Sequence, residues 1–341
     1  MVRVEPGVSR GVNWGVIGAF GFAAVLAALV CGSVIMPEAV PGIVMPGPVV
    51  EYGLTIVRVL LDLASAIVVG LSVLPKLLGF DDLERTEPVM RRVRTYAVGG
   101  AWLWAITALF AIVFYTAELN PGAVPTPGMI AGYLGSVGTG QGLLFTMACA
   151  LAYAGIGLLA VRFGEKVPAE LRIVVALFGL LPIPVTGHAV DSVWHDPIMI
   201  SMELHVMGSA VWAGGLLAVM AFLVRDRVLL AIALPAFSRL ATVGLVLVGL
   251  SGLVSGLGTM ALTTGVRLPA DIFTSEYGLL LVAKVVLVGL LVPLAANIRF
   301  RLMPAIRRLE GTSVAAWAVT EVAVMGLSYG VAVTLTRAPI A

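Results

Sequence analysis

Residues 186–217 read TGHAVDSVWHDPIMISMELHVMGSAVWAGGLL and contain all three histidines of the chain, His188, His195 and His205. An apolar run lies on each side of His195, and each run is close to the roughly 20 residues that a helix needs to cross about 30 Å of hydrocarbon. Ionisable side chains at such a junction lie at the membrane surface or just inside it, where they are costly and usually functional. The stretch therefore predicts two membrane helices with a polar working site where they meet.

The composition of the whole chain is that of an integral membrane protein. Its 341 residues are 60% hydrophobic and 12% charged, with a mean hydropathy of +1.06, which excludes a soluble globular protein. Apolar segments can be drawn at 14–35, 50–76, 95–118, 140–161, 170–189, 197–224, 237–262, 276–298 and 313–336. We predict an all-α fold, a polytopic integral membrane helix bundle of about nine transmembrane helices that forms one domain over residues 1–341.

The distribution of lysine and arginine predicts the orientation. Seventeen of the 21 lysines and arginines lie in the N-terminal segment and the even-numbered connections, whereas only Arg267 and Arg337 lie in the others. By the positive-inside rule the N-terminus is cytoplasmic, the C-terminus is extracytoplasmic and residues 186–200 face outward. The two cysteines lie in separate apolar runs and predict neither a disulfide framework nor a CxxC site. Nothing in the chain indicates nucleic-acid binding.

The outward-facing stretch predicts a metal site. Asp196 and Pro197 form a good helix start, and Met199, Met202 and His205 then follow at intervals of three residues on one broad face. Thioethers with imidazole suit Cu(I), and imidazole with carboxylate suits Cu(II). We therefore predict copper as the metal. The predicted ligands are His188, His195, Met199, Met202 and His205.

Other interpretations of the same residues remain open. His188 and His205 can instead form interhelical hydrogen bonds, and the methionines can be packing residues. The two histidines can also be axial ligands of haem b, which would make the protein a membrane oxidoreductase. A third alternative is a non-transporting assembly subunit whose charged residues are purely structural.

Several charged residues fall inside the predicted helices. Arg58 and Asp62 are four residues apart and predict an ion pair on one helix face. Lys284 lies at a depth similar to that of His205, with Glu203 as a candidate partner, and Glu321 lies in the inner half of the last helix. Glu203, Lys284 and Glu321 are either structural or part of a polar pathway. The run GTGQG at 138–142 is interpreted as a flexible turn.

Three sequence blocks carry a family resemblance. ELHVMGSAVWAGGLLAVMAFL (203–223), AFSRLATVGLVLVGLSGLVSG (236–256) and SEYGLLLVAKVVLVGLLVPLAANIRF (275–300) follow one another as in the copper resistance D family. The chain resembles that family over a core of about 50–337, most strongly over 186–300, and helix 14–35 is additional. The resemblance implies a multi-pass protein of the bacterial inner membrane that moves or handles copper alongside a periplasmic copper-binding protein. We expect no enzymatic activity unless the haem alternative holds.

Overall fold

The computed structural model describes residues 11–35, 44–182 and 195–340. These residues fold into helices joined by short connections. The helices are α1 (Trp14–Val34), α2 (Pro48–Leu78), α3 (Leu83–Leu119), α4 (Pro127–Ser136), α5 (Gly138–Phe163), α6 (Ala169–Phe178), α7 (His195–Leu223), α8 (Arg227–Leu262), α9 (Glu276–Asn297), α10 (Met303–Arg307) and α11 (Val314–Leu335). A π-helical turn, Ile298–Leu302, joins α9 to α10. The predicted all-α membrane bundle is confirmed.

Eight helices in the described part of the chain are long and apolar enough to cross a membrane. They correspond to every predicted span except the fifth, 170–189. Of that span the structure describes α6, which ends at Phe178, and the turns from Gly179 to Pro182. The remainder, including His188, lies outside the described residues. The predicted orientation stays a prediction, because helix packing alone does not distinguish the two sides of a membrane.

Capping side chains mark where several helices begin. Asp226 accepts hydrogen bonds from the amides of Val228 and Leu229, both at 3.1 Å, and so starts α8 ten residues before the predicted span.

The GTGQG run is the first turn of α5 rather than a flexible turn, so that interpretation is wrong. Gly140 is needed for close packing, because a Cβ there would lie 2.7 Å from the carbonyl oxygen of Tyr133.

Helices α2 and α7 form the centre of the bundle. Both have 78% of their most apolar window buried, whereas the figure for α9 is 17%. They pack directly on each other, and they cross where a Cβ on Gly70 would lie 1.9 Å from the carbonyl oxygen of Gly214. Small residues at such a crossing let two backbones approach closely. The crossing therefore holds side chains of α2 and α7 at a fixed separation.

The other helices surround this pair. Helix α3 packs on α2 and α5, α8 packs on α7, and α11 packs on α1 and α9. We call the outer end the one that contains residues 44–47, residues 120–137 and the start of α7, and the inner end the opposite one. The names follow the orientation that the lysine and arginine distribution predicts.

Candidate functional site at the centre of the bundle

His205 lies inside the bundle in the outer half of α7. It is the tenth residue after the first residue of that helix, so it lies about 15 Å along the helix axis. Only 8% of its surface is exposed. A polar side chain buried at this depth needs hydrogen-bond partners, because water is not available to supply them.

Neighbouring helices provide these partners for both ring nitrogens. Nδ1 of His205 is 2.9 Å from the carbonyl oxygen of Val248 on α8, and Nε2 is 3.1 Å from Nζ of Lys284 on α9. A carbonyl only accepts, so Nδ1 carries the ring proton and donates it to Val248. Nε2 therefore holds a lone pair, to which Lys284 donates.

Helix α8 approaches the imidazole closely at a glycine. A Cβ on Gly252 would lie 2.8 Å from Cε1 and 2.9 Å from Nδ1 of His205. The neighbouring Ser251 adds a longer contact, with its Oγ 3.5 Å from Nδ1, and its carbonyl oxygen accepts a hydrogen bond of 3.0 Å from Ser201 Oγ. These contacts with α8 fix the orientation of the imidazole ring, and its Nε2 atom is directed toward α9.

Helix α2 contributes the predicted Arg58–Asp62 pair, which the structure confirms. Nε of Arg58 is 3.8 Å from Oδ1 of Asp62, and Nη1 of Arg58 donates to the hydroxyl of Tyr115 on α3 at 3.1 Å. Asp62 also interacts electrostatically with Lys284. The pair is therefore part of the same polar cluster as His205, a role that the sequence analysis did not assign to it.

A cavity of about 150 Å³ lies among these side chains. It is lined by Arg58 and Asp62 from α2, Met202 and His205 from α7, and Lys284 from α9, with Met325 and Tyr329 of α11 among the remaining residues. The volume corresponds to about five water molecules at roughly 30 Å³ each. It can therefore hold a metal ion with a few small ligands.

The structure brings together only some of the predicted site residues. Met202, His205 and Lys284 line the cavity, whereas Met199 and Glu203 do not. Lys284 contacts His205, and no ion pair joins it to Glu203. The side chain of His195, the first residue of α7, is outside the description, and so is His188. The haem alternative, which needs both His188 and His205, stays a prediction.

Glu321 is buried next to this region. It is 3% exposed and lies four residues before Met325 on α11, which places it about one helical turn further toward the inner end than the cavity wall. Within residues 11–35, 44–182 and 195–340, no hydrogen bond or ion pair to its carboxyl is formed. It does not line the cavity, and its part in a polar pathway stays a prediction.

Sequence reasoning underestimated Arg58 and Asp62. Their spacing predicted a local pair, but nothing local shows that the pair faces His205, which is more than 140 residues away in the chain. The available signal was the depth of Asp62 in a long apolar helix, because a carboxylate there is costly unless it is used.

The donor set suits a soft metal ion. Met202 offers a thioether and His205 an imidazole nitrogen, a combination that favours copper over magnesium or calcium. Among the described residues, no group of three His, Cys, Asp or Glu side chains could hold a metal ion. A metal in the cavity would therefore depend on the thioether as well as on the imidazole.

Comparison with protein families gives two matches. Residues 49–196 match the N-terminal domain of copper resistance protein D-like proteins, and residues 231–335 match copper resistance protein D. Curated proteins and solved structures gave no match. Arg58 and Asp62 lie in the first range and Lys284 and Glu321 in the second, while His205 lies between them. The two matches cover most of the chain, and the protein belongs to the copper resistance protein D family.

Proposed function

We propose that this membrane protein binds copper in the cavity between α2, α7, α9 and α11 and moves it across the bacterial inner membrane. The observation that carries the proposal is the convergence of Met202 and His205 on one buried cavity in a family associated with copper resistance. Both are ligands that copper accepts, and an ionisable side chain buried at membrane depth is usually functional.

Copper enters from the outer end in this proposal. His188, His195 and Met199 precede Met202 and His205 in the sequence, and in this proposal they receive the ion, for example from a periplasmic copper-binding protein. Met202 and His205 then hold it in the cavity. Glu321, about one turn further inward than the cavity wall on α11, is the group that the ion would meet next in this proposal.

Metal analysis and visible absorption of the purified protein test this function. We expect His205→Ala to lose the cavity-bound copper, and the His188→Ala, His205→Ala double variant to bind none. Met202→Leu removes only the thioether, so we expect about tenfold weaker binding. The matched control is Met207→Leu, because Met207 lies on the same helix and packs against the hydrophobic core without lining the cavity.

Two results would contradict the proposal. Full copper stoichiometry in the double variant would place the metal elsewhere. A Soret band that disappears in the same variant would identify a haem protein instead.

A further inference from the structure

Lys284 occupies the atom of His205 that a metal ion needs. Its Nζ is 3.1 Å from Nε2, and the other ring nitrogen is already bound to the carbonyl of Val248. A metal ligates imidazole through a lone pair, and Nε2 has the one lone pair of this tautomer. A metal and Lys284 cannot both use it.

We propose that Lys284 competes with copper for Nε2 of His205. When copper binds, the side-chain amino group of Lys284 gives up its hydrogen bond to His205 and forms one to Asp62 instead. The inference rests on the proposed copper site in this cavity and specifies how that site is controlled. It does not depend on the protonation state of Lys284, because an amine and an ammonium can both donate a hydrogen bond to Nε2.

Asp62 is placed to receive the displaced group. Asp62 and Lys284 line the same cavity and interact electrostatically, but they are not in ion-pair contact. A carboxylate has about four lone-pair positions on two oxygens, so Asp62 can accept from Lys284 while it stays paired with Arg58. The transfer requires a rotation of the flexible lysine side chain within the cavity that both residues line.

This arrangement selects for soft metals. To displace Lys284, an ion must gain more from the imidazole nitrogen than the hydrogen bond provides. Copper forms strong bonds to imidazole and thioether, whereas magnesium and calcium prefer oxygen ligands. Lys284 therefore acts as a specificity residue that hard cations do not displace.

Copper affinities measured by competition with a chromophoric copper chelator test the role of Lys284. We expect Lys284→Leu to bind copper about tenfold or more tightly than the wild type, because it removes the competing donor without adding a metal ligand. Lys284→Arg keeps a donor for Nε2, so its affinity should stay below that of Lys284→Leu. Val285→Leu, at an exposed position next to Lys284, is the control and should leave the affinity unchanged.

A double-mutant cycle tests the transfer to Asp62. We expect Asp62→Asn to weaken copper binding in the wild-type background, because the displaced Lys284 then has no carboxylate to receive it. The same substitution should weaken copper binding less in the Lys284→Leu background, where only the loss of the carboxylate charge remains. An equal effect in both backgrounds would overturn the transfer.

The two proposals fail in different ways. If the wild type binds copper and Lys284→Leu binds it equally or more weakly, the competitor role is wrong and the copper site stands. A misfolded variant cannot imitate the expected gain in affinity. If neither protein binds copper, both proposals are overturned. The contact itself has a separate readout, since the ¹⁵N resonance of His205 Nε2 in metal-free protein should shift in Lys284→Leu.

Discussion

The described helices bury one group of charged side chains at the inner end and another around His205, and the two are built differently. At the inner end, Arg94 contacts Glu87 and Glu165, and Arg172 contacts the same Glu165 at 3.1 Å. Both arginines are almost fully buried, with side chains 2% and 1% exposed. Each guanidinium is matched directly with a carboxylate, so this inner network ties α3, the residues after α5 and α6 together.

The group around His205 has the opposite character. Lys284 contacts a neutral imidazole rather than a carboxylate, and its electrostatic partner Asp62 is further away. A cavity of about 150 Å³ separates the helices that carry these groups. The comparison teaches that buried charge alone does not mark a functional site. Two features distinguish the His205 cluster from the inner network: the cavity, and the lone pair on Nε2 of His205, which can exchange one partner for another.

The largest expected effect is on the stability of the inner network. Arg94→Ala leaves two carboxylates with one partner fewer, and breaking a buried ion pair costs about 3 kcal/mol or more. We take the lower end, since the carboxylates are partly exposed. The free energy of unfolding in mixed micelles should fall by about this amount, while the copper affinity of the folded protein stays the same. Arg91→Ala, at an exposed position on the same helix, is the control.

If Arg94→Ala changed the free energy of copper binding by more than the free energy of unfolding, the inner network would also take part in binding. The distinction between the two groups would then be wrong.

A smaller effect should come from crowding the imidazole. Gly252→Ala places a Cβ 2.8 Å from Cε1 of His205, so the ring must shift away from its present position. We expect copper binding to weaken about tenfold, or about 1.4 kcal/mol. Gly249→Ala on the same helix is the matched control, because a Cβ there meets nothing within 4 Å. The measurement is the same chelator competition, and equal affinities for the two variants would show that the ring position is unimportant.

The smallest effect should come from Ser251→Ala. The serine Oγ is 3.5 Å from Nδ1 of His205, whereas the Val248 carbonyl is 2.9 Å away and already accepts the ring proton. Losing the longer contact should change the copper affinity by less than about fivefold, since one neutral hydrogen bond contributes about 1 kcal/mol or less. A loss as large as that of Gly252→Ala would mean that Ser251, and not Val248, orients the ring.

Much of the fold follows from local sequence. Every helix that crosses a membrane must satisfy its own backbone hydrogen bonds, so about 20 apolar residues in a row are enough to predict it. The Arg58–Asp62 pair was predictable for the same reason, because residues four apart meet on one helix face. Helix α6, the described helical part of the fifth segment, ends at Phe178, and Pro182, which lacks a backbone donor, follows four residues later.

The site was predictable only in part. Met202 and His205 were identified by residue type and spacing, and the same criteria also selected Met199 and Glu203, which do not line the cavity. Helical spacing gives the face of one helix but not the helix that packs against it. The partner of Lys284 was therefore misassigned to Glu203.

By itself, the sequence determined that this protein is a bundle of membrane helices and that its histidines and methionines are concentrated in one stretch, because hydrophobic length and residue type are local properties. Only the tertiary structure decided that His205 faces Val248, 43 positions away, and Lys284, 79 positions away. It also decided that Asp62 of α2 shares their cavity. The physical reason is that helix packing, set by close crossings such as Gly70 against Gly214, chooses the neighbours of a buried side chain.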